Sequence, residues 1–181
     1  MELLDIVDEN GNPTGGTVDR ETAHAEGIRH RTSHVWIARR KSGRVELLLQ
    51  KRSRTKDSHP GCYDISSAGH IPAGSGFVES ALRELEEELG VTAESKELIF
   101  CGVRRGMYEA VFYGKRFVDN QVSNVYLLWR DALEEEDYIL QESEIESVRY
   151  MEFEECYRQV EKNEIPNCIS LRELDMLKEK F

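Results

Sequence analysis

The chain has 181 residues, a length that suits a single domain and can bury a full core without disulfides or structural metal. With 24 basic and 35 acidic side chains it carries a net charge of −11, which argues against a general nucleic-acid binder, because counterion release needs a positive face. No apolar run approaches the roughly 20 residues that span a bilayer, and Met1-Glu2-Leu3-Leu4-Asp5 lacks the basic-then-apolar order of a secretory signal. The four cysteines, Cys62, Cys101, Cys156 and Cys168, form no CxxC pair and no zinc spacing. These features predict a cytoplasmic protein with reduced thiols and no membrane or nucleic-acid partner; a homodimer is left open.

In chain order, Leu3 to Val7 reads as a strand and Asn10-Gly11-Asn12-Pro13 as a turn, while Thr17 to Gly27 is polar and ambiguous. Ser33 to Arg39 and Val45 to Lys51 read as strands around a Lys41-Ser42-Gly43 turn. Val78, Ala81, Leu82, Leu85 and Leu89 recur at helical spacing, and Gly90 supplies the left-handed stop. Leu98 to Val103, Tyr108 to Tyr113, Val122 to Trp129 and the short Ser147 to Met151 are further strands. Helices over Glu154 to Glu161 and Leu171 to Lys180 follow, the second with Ser170 and Glu173 in capping-box positions. Strands interleaved with helices predict an α/β fold, a mixed sheet packed between helices. No linker divides residues 1–181; about 1–28 reads as an N-terminal strand-and-turn extension and about 152–181 as the C-terminal helices.

Charge is uneven. Between Arg29 and Lys56 basic residues are dense and only Glu46 opposes them. In an acidic chain such a segment is suited to an anionic ligand. Arg29, Arg31, Lys51 and Arg52 sit beside apolar strands and are the expected phosphate-binding set.

The most informative stretch is Arg83-Glu84-Leu85-Glu86-Glu87-Glu88-Leu89-Gly90-Val91. On a helix Glu84, Glu87 and Glu88 converge on one side while Leu85 and Leu89 turn to a core. Three like charges repel unless neutralised, and Mg²⁺ or Mn²⁺ does so with hard oxygen ligands. The stretch resembles the second half of the Nudix box, G-x5-E-x7-R-E-U-x-E-E-x-G-U with U aliphatic, and Gly69 stands at its first glycine. The resemblance covers roughly Arg29 to Tyr150 and implies a Nudix-type α/β/α sandwich. It implies a metal-dependent hydrolase that cleaves a diphosphate linkage in a nucleoside-diphosphate-type or similar small molecule. Mg²⁺ or Mn²⁺ would be held by Glu84, Glu87 and Glu88 with Gly69, and Glu144 resembles an extra acid found in some members. The box departs at Ser75, where the pattern has Glu; Glu79, four residues before Arg83, is expected to hold that arginine instead.

The opening also looks like the isopentenyl-diphosphate isomerase branch, through residues 1–17, Arg29-His30-Arg31, Lys56 to Tyr63 and Ser66 to His70. In those isomerases several histidines bind a metal. All five here (His24, His30, His34, His59 and His70) fall in the first seventy residues, and they are expected to be ordinary surface or core side chains. The isomerase cysteine position is Ala68, and the later Glu-x-Glu pair is Asp119-Asn120-Gln121, with one acid. Double-bond migration needs a proton donor and an acceptor across the substrate. An isomerase-like frame with hydrolase carboxylates is therefore the reading. The isomerase itself and a non-catalytic Nudix-fold metabolite-binding module are the alternatives.

Overall fold

The computed structural model describes residues 2–181. Strands β1 (Leu3–Val7) and β2 (Pro13–Asp19) form an antiparallel hairpin, a two-stranded sheet of their own. The polar stretch that follows is α1 (Arg20–Glu26), which the sequence left undecided because its apolar content is low. Asp19 caps it by accepting from Thr22 N at 2.9 Å, and Gly27, at φ 72°, ends it.

The main sheet has seven strands: β3 (His30–Lys41), β4 (Arg44–Arg52), β5 (Tyr63–Asp64), β6 (Ser67–His70), β7 (Ile99–Phe112), β8 (Lys115–Trp129) and β9 (Ile145–Glu152). Its order is β5-β4-β3-β8-β7, with β6 on β3 and β9 on β4. The β3–β8 pair is parallel and the other ladders are antiparallel, so the sheet is mixed as expected. β3 is shared: Thr32–Val35 pair with β6, whereas Ala38–Lys41 pair with β4. The two neighbours part beside the centre of β3, and the principal cavity borders this region.

Both faces of the sheet are covered, which is why β3 is buried along most of its length instead of alternating. On one face Trp36, Ala38, Leu47, Leu49, Val125 and Leu127 pack with Phe153, Cys156 and Val160 of α3 (Phe153–Glu161) and Leu174 and Leu177 of α4 (Leu171–Lys178). On the other, Val35, Ile37, Leu48, Tyr126 and Leu128 pack with Ala81, Leu85 and Leu89 of α2 (Phe77–Leu89). The result is the α/β/α sandwich.

Two local expectations are corrected. The segments Leu98–Val103 and Tyr108–Tyr113 are one strand, because β8 pairs with β7 straight through Arg104-Arg105-Gly106. Glu173 does not cap α4. Its carboxylate is buried and accepts from His34 Nδ1 and Trp36 Nε1, each at 2.9 Å, with Arg104 Nε at 3.6 Å. His34 and Arg104 hold the Glu173 carboxyl below the usual range against the cost of its burial.

Candidate active site

A cavity of about 680 Å³ opens between α2, β6, the 53–62 loop and the pocket-facing side of β7 and β8. Glu84, Glu87 and Glu88 line it from α2, Gly69 from β6 and Glu144 from the loop before β9. The expected carboxylate set is therefore brought together.

α2 forms here for reasons visible in its sequence. Ala81, Leu85 and Leu89 bury one stripe, and Gly90, at φ 67°, ends the helix in the left-handed conformation. That registration turns Glu84 and Glu88 inward. Glu88 is 5% exposed and accepts from Ser67 Oγ at 2.7 Å and Ala68 N at 3.3 Å. Glu84 lies against Gly69, where a Cβ would stand 2.2 Å from Glu84 Cδ; only glycine leaves room for the carboxylate. Glu87 stands half in solvent. Burial, with the neighbouring carboxylates adding to it, pushes Glu84 up to about 7 and Glu88 up to about 8.

Raised carboxyls carry a stability signature. Folded, these two groups keep protons that the unfolded chain, titrating near 4.5, has lost. Their contribution is complete at low pH and is lost as pH rises through about 7 to 8. The buried histidines act oppositely, but only below their unfolded value of 6.5. In chelator, Tm should therefore fall between about pH 6.5 and 8 and level off above that. Excess Mn²⁺ should raise Tm more at the upper end, since it binds the deprotonated oxygens. Calorimetry at the two pH values checks this; an equal metal effect at both would be the contrary result.

Arg83 makes its contacts with the carboxylates themselves: Nη2 donates to Glu84 Oε1 at 2.7 Å, and Nη1 lies 3.5 Å from Glu87. It does not pair with Glu79. Glu79 faces the start of α2 and accepts from Gly76 N at 3.4 Å, because an acid at the third helical position is drawn to the unpaired N–H groups there.

The phosphate-binding set is also corrected. Arg52 lines the cavity, with Nη1 on Asp64 at 3.1 Å. Arg31 is buried elsewhere, donating to Asp5 at 2.8 Å and to the Ser75 carbonyl at 3.0 Å. Lys51 turns to Glu146 at 2.7 Å. Arg29 lines a separate hollow of about 230 Å³ with Glu9, Arg105 and Met107. The cations that join Arg52 and Arg83 on the cavity wall are Arg20, Lys56 and Arg104. Lys56 had a signal in the basic segment and ion-pairs with Glu144. Arg20 and Arg104 had none, since their positions follow from how α1 and β7 pack.

The histidine expectation changes most. His24, His30 and His70 each offer a ring nitrogen to one place, these atoms lying within 4.8 Å of one another. His30 Nδ1 donates to the Ile28 carbonyl at 2.9 Å and His24 Nδ1 faces the Val118 carbonyl at 3.3 Å, which leaves their Nε2 atoms as acceptors, that of His24 lying 3.0 Å from His70 Nε2. Burial lowers all three, His24 to about 4, so the rings are neutral. His30 Nε2 and Asp119 Oδ1, 4.0 Å apart, are buried without a hydrogen-bond partner, and burial raises Asp119 to about 6. Neutral imidazoles and an unpartnered carboxylate oxygen fit a divalent cation. At the isomerase positions, Ala68 offers no thiol and Gln121 no acid; the cavity-lining thiol among the described residues is Cys168, directed at the Tyr63 carbonyl.

A family model described as the NUDIX domain matches residues 28–169. Nudix hydrolase 3 of Arabidopsis thaliana is 40% identical over 168 residues, 91% of this chain and 21% of that protein. The chain thus spans about a fifth of that relative's length. An uncharacterized Nudix hydrolase of Clostridium acetobutylicum is 36% identical over 157 residues, 87% of this chain and 73% of that one. Among solved structures, a Deinococcus radiodurans protein is similar with a TM-score of 0.64 and 22% identity, over 91% of each chain. The NUDIX domain of Shewanella oneidensis NrtR, complexed with ADP ribose, gives 0.58 at 13% identity, over 90% of this chain and 93% of that one. At these identities the structures speak for the fold.

Proposed function

Since the chain belongs to the Nudix family, we propose that it hydrolyses a diphosphate linkage in a small-molecule substrate with Mg²⁺ or Mn²⁺ on the α2 carboxylates. The observation that carries this reading is the pair Glu84 and Glu88, buried at the cavity wall with raised carboxyls and without a full complement of positive charge. Hard oxygen donors at that place suit a divalent cation better than bulk solvent does. Glu84, Glu87 and Glu88 would hold it, the Gly69 position leaving them room. Such a cation would supply charge neutralisation for the phosphoryl oxygens and acidify the attacking water.

The chain's own residues supply the rest. Arg52, Lys56, Arg20 and Arg104 line the cavity as partners for the phosphate oxygens. In hydrolysis the water oxygen bonds to phosphorus, the anhydride P–O bond breaks, and its electron pair stays with the departing oxygen. The water's proton passes to a carboxylate, for which Glu87 and Glu144 are the cavity acids with most solvent access, at 52% and 33% side-chain exposure. His24, His30 and His70 with Asp119 would form a second cation position in this reading.

The test is phosphate or nucleotide release from a panel: nucleoside diphosphates, nucleotide sugars, ADP-ribose, Ap4A and isopentenyl diphosphate, each with Mg²⁺ or Mn²⁺. Turnover of at least one that vanishes in EDTA is expected. Binding without turnover across the panel would instead favour a metabolite-binding module. Deuterium entering isopentenyl diphosphate from heavy water would favour the isomerase.

A further inference from the structure

We propose that β7 is an interaction edge for a second copy of this chain, the two β7 strands pairing antiparallel about a two-fold axis at Met107. β7 ends the strand order of the main sheet, and β8 is its ladder partner among the described residues. Its other edge is 14 residues long and carries no Pro and no Lys, the residues that commonly guard such an edge against pairing. Met107 and Val111 lie on one face of the strand and are 70% and 69% exposed.

The strand is complementary to itself in one register. In an antiparallel pair centred on Met107, Arg105 stands opposite the partner's Glu109 and Val103 opposite the partner's Val111. The two-fold axis repeats both pairs, and Met107 meets the partner's Met107. Opposed residues on one face lie close enough for opposite charges and apolar groups to stabilise the pair. The neighbouring symmetric registers lack this match: centring on Gly106 sets Glu109 opposite Val103, and centring on Tyr108 sets it opposite Met107. Within the chain, Glu109 already accepts from Arg116 at 2.8 Å. The centred register therefore places its carboxylate between Arg116 and the partner's Arg105, an alternating row of charge across three strands. Arg105 Nε donates to the Glu9 carbonyl at 2.7 Å, which steadies the side chain on that face.

Sedimentation equilibrium over a wide range of protein concentration tests the proposal without reference to activity. The wild type should show a reversible monomer–dimer equilibrium. Met107→Lys sets two ammonium groups together at the axis and should weaken the dimer about tenfold or more. Glu109→Arg and Arg105→Glu should each do the same, and the triple exchange Arg105→Glu/Glu109→Arg/Arg116→Glu, which also reverses the pair within the chain, should restore association. These positions are exposed, so circular dichroism should report an unchanged fold. A wild type that is monomeric at every concentration overturns the proposal. So does a dimer indifferent to Met107→Lys and the single charge reversals, which would be built on another face, or a triple exchange that fails to recover association.

Discussion

Glu88→Gln is expected to lower kcat by ~10²–10³-fold, the size of loss seen when one preorganised electrostatic contact is removed from a transition state, while Tm stays level or rises. The two effects have one cause. The Glu88 carboxylate is almost fully buried, and its raised carboxyl reports that ionisation there is opposed by burial and by Glu84. Gln keeps an oxygen to accept from Ser67 Oγ and Ala68 N, so the folded state loses little and no longer has to hold a proton that the unfolded chain releases. A metal-binding reaction loses an anionic ligand, which the amide does not replace. Steady-state rates at several metal concentrations and calorimetry in chelator measure both sides. A variant with wild-type turnover and a reduced Tm would make Glu88 a structural acid.

Gly69→Ala should be nearly as damaging, by a different route. The glycine backbone lies outside the left-handed region, so alanine costs the strand little conformational energy. Its methyl group, however, would stand 2.2 Å from Glu84 Cδ and 2.4 Å from Glu84 Cγ. Ordinary carbon contacts begin near 3.5 Å, so Glu84 must swing away by about 1 Å or more. A displacement of ~1 Å at a reacting centre costs ~100-fold in rate. The expected result is a turnover about two orders of magnitude lower with a small change in Tm. Because Glu84 moves but keeps its charge, raising the metal concentration should recover part of the rate in Gly69→Ala and less in Glu84→Gln. Equal rates for Gly69→Ala and wild type would show that Glu84 does not need its place against β6.

The sequence made the carboxylate helix legible because the evidence is local. A helical period, a terminal glycine and three acids on one face are all contained in α2. The sandwich was legible for a similar reason, β3, β4, β8, β9 and α2 to α4 each carrying its own pattern, whereas the polar β2 and α1 and the short β5 and β6 carried none. What it did not disclose depends on tertiary choice. Lys51 and Arg52 are neighbours in a strand covered on both faces, so nothing in their flanks says which reaches the cavity; folding sends Arg52 there and Lys51 to Glu146. Glu173 fits a capping box by spacing, yet the buried donors His34 and Trp36 outbid an exposed helix end for its carboxylate. Glu79 and Arg83 stand at ion-pair spacing, but each has a nearer partner in Gly76 N and Glu84. The histidines lie far apart along the chain, and only the packing of α1, β3 and β6 brings His24, His30 and His70 together.

The central claim is that the α2 carboxylates hold a divalent cation. Manganese titration followed by electron paramagnetic resonance tests it without any knowledge of the substrate, because free and protein-bound Mn²⁺ differ in signal. The wild type should take up Mn²⁺, the Glu84→Gln/Glu88→Gln double variant should lose the part bound on α2, and His24→Ala/His30→Ala should keep that part while losing any uptake at the histidines. Uptake by the double carboxylate variant at wild-type affinity and stoichiometry would contradict the claim and place the cation elsewhere.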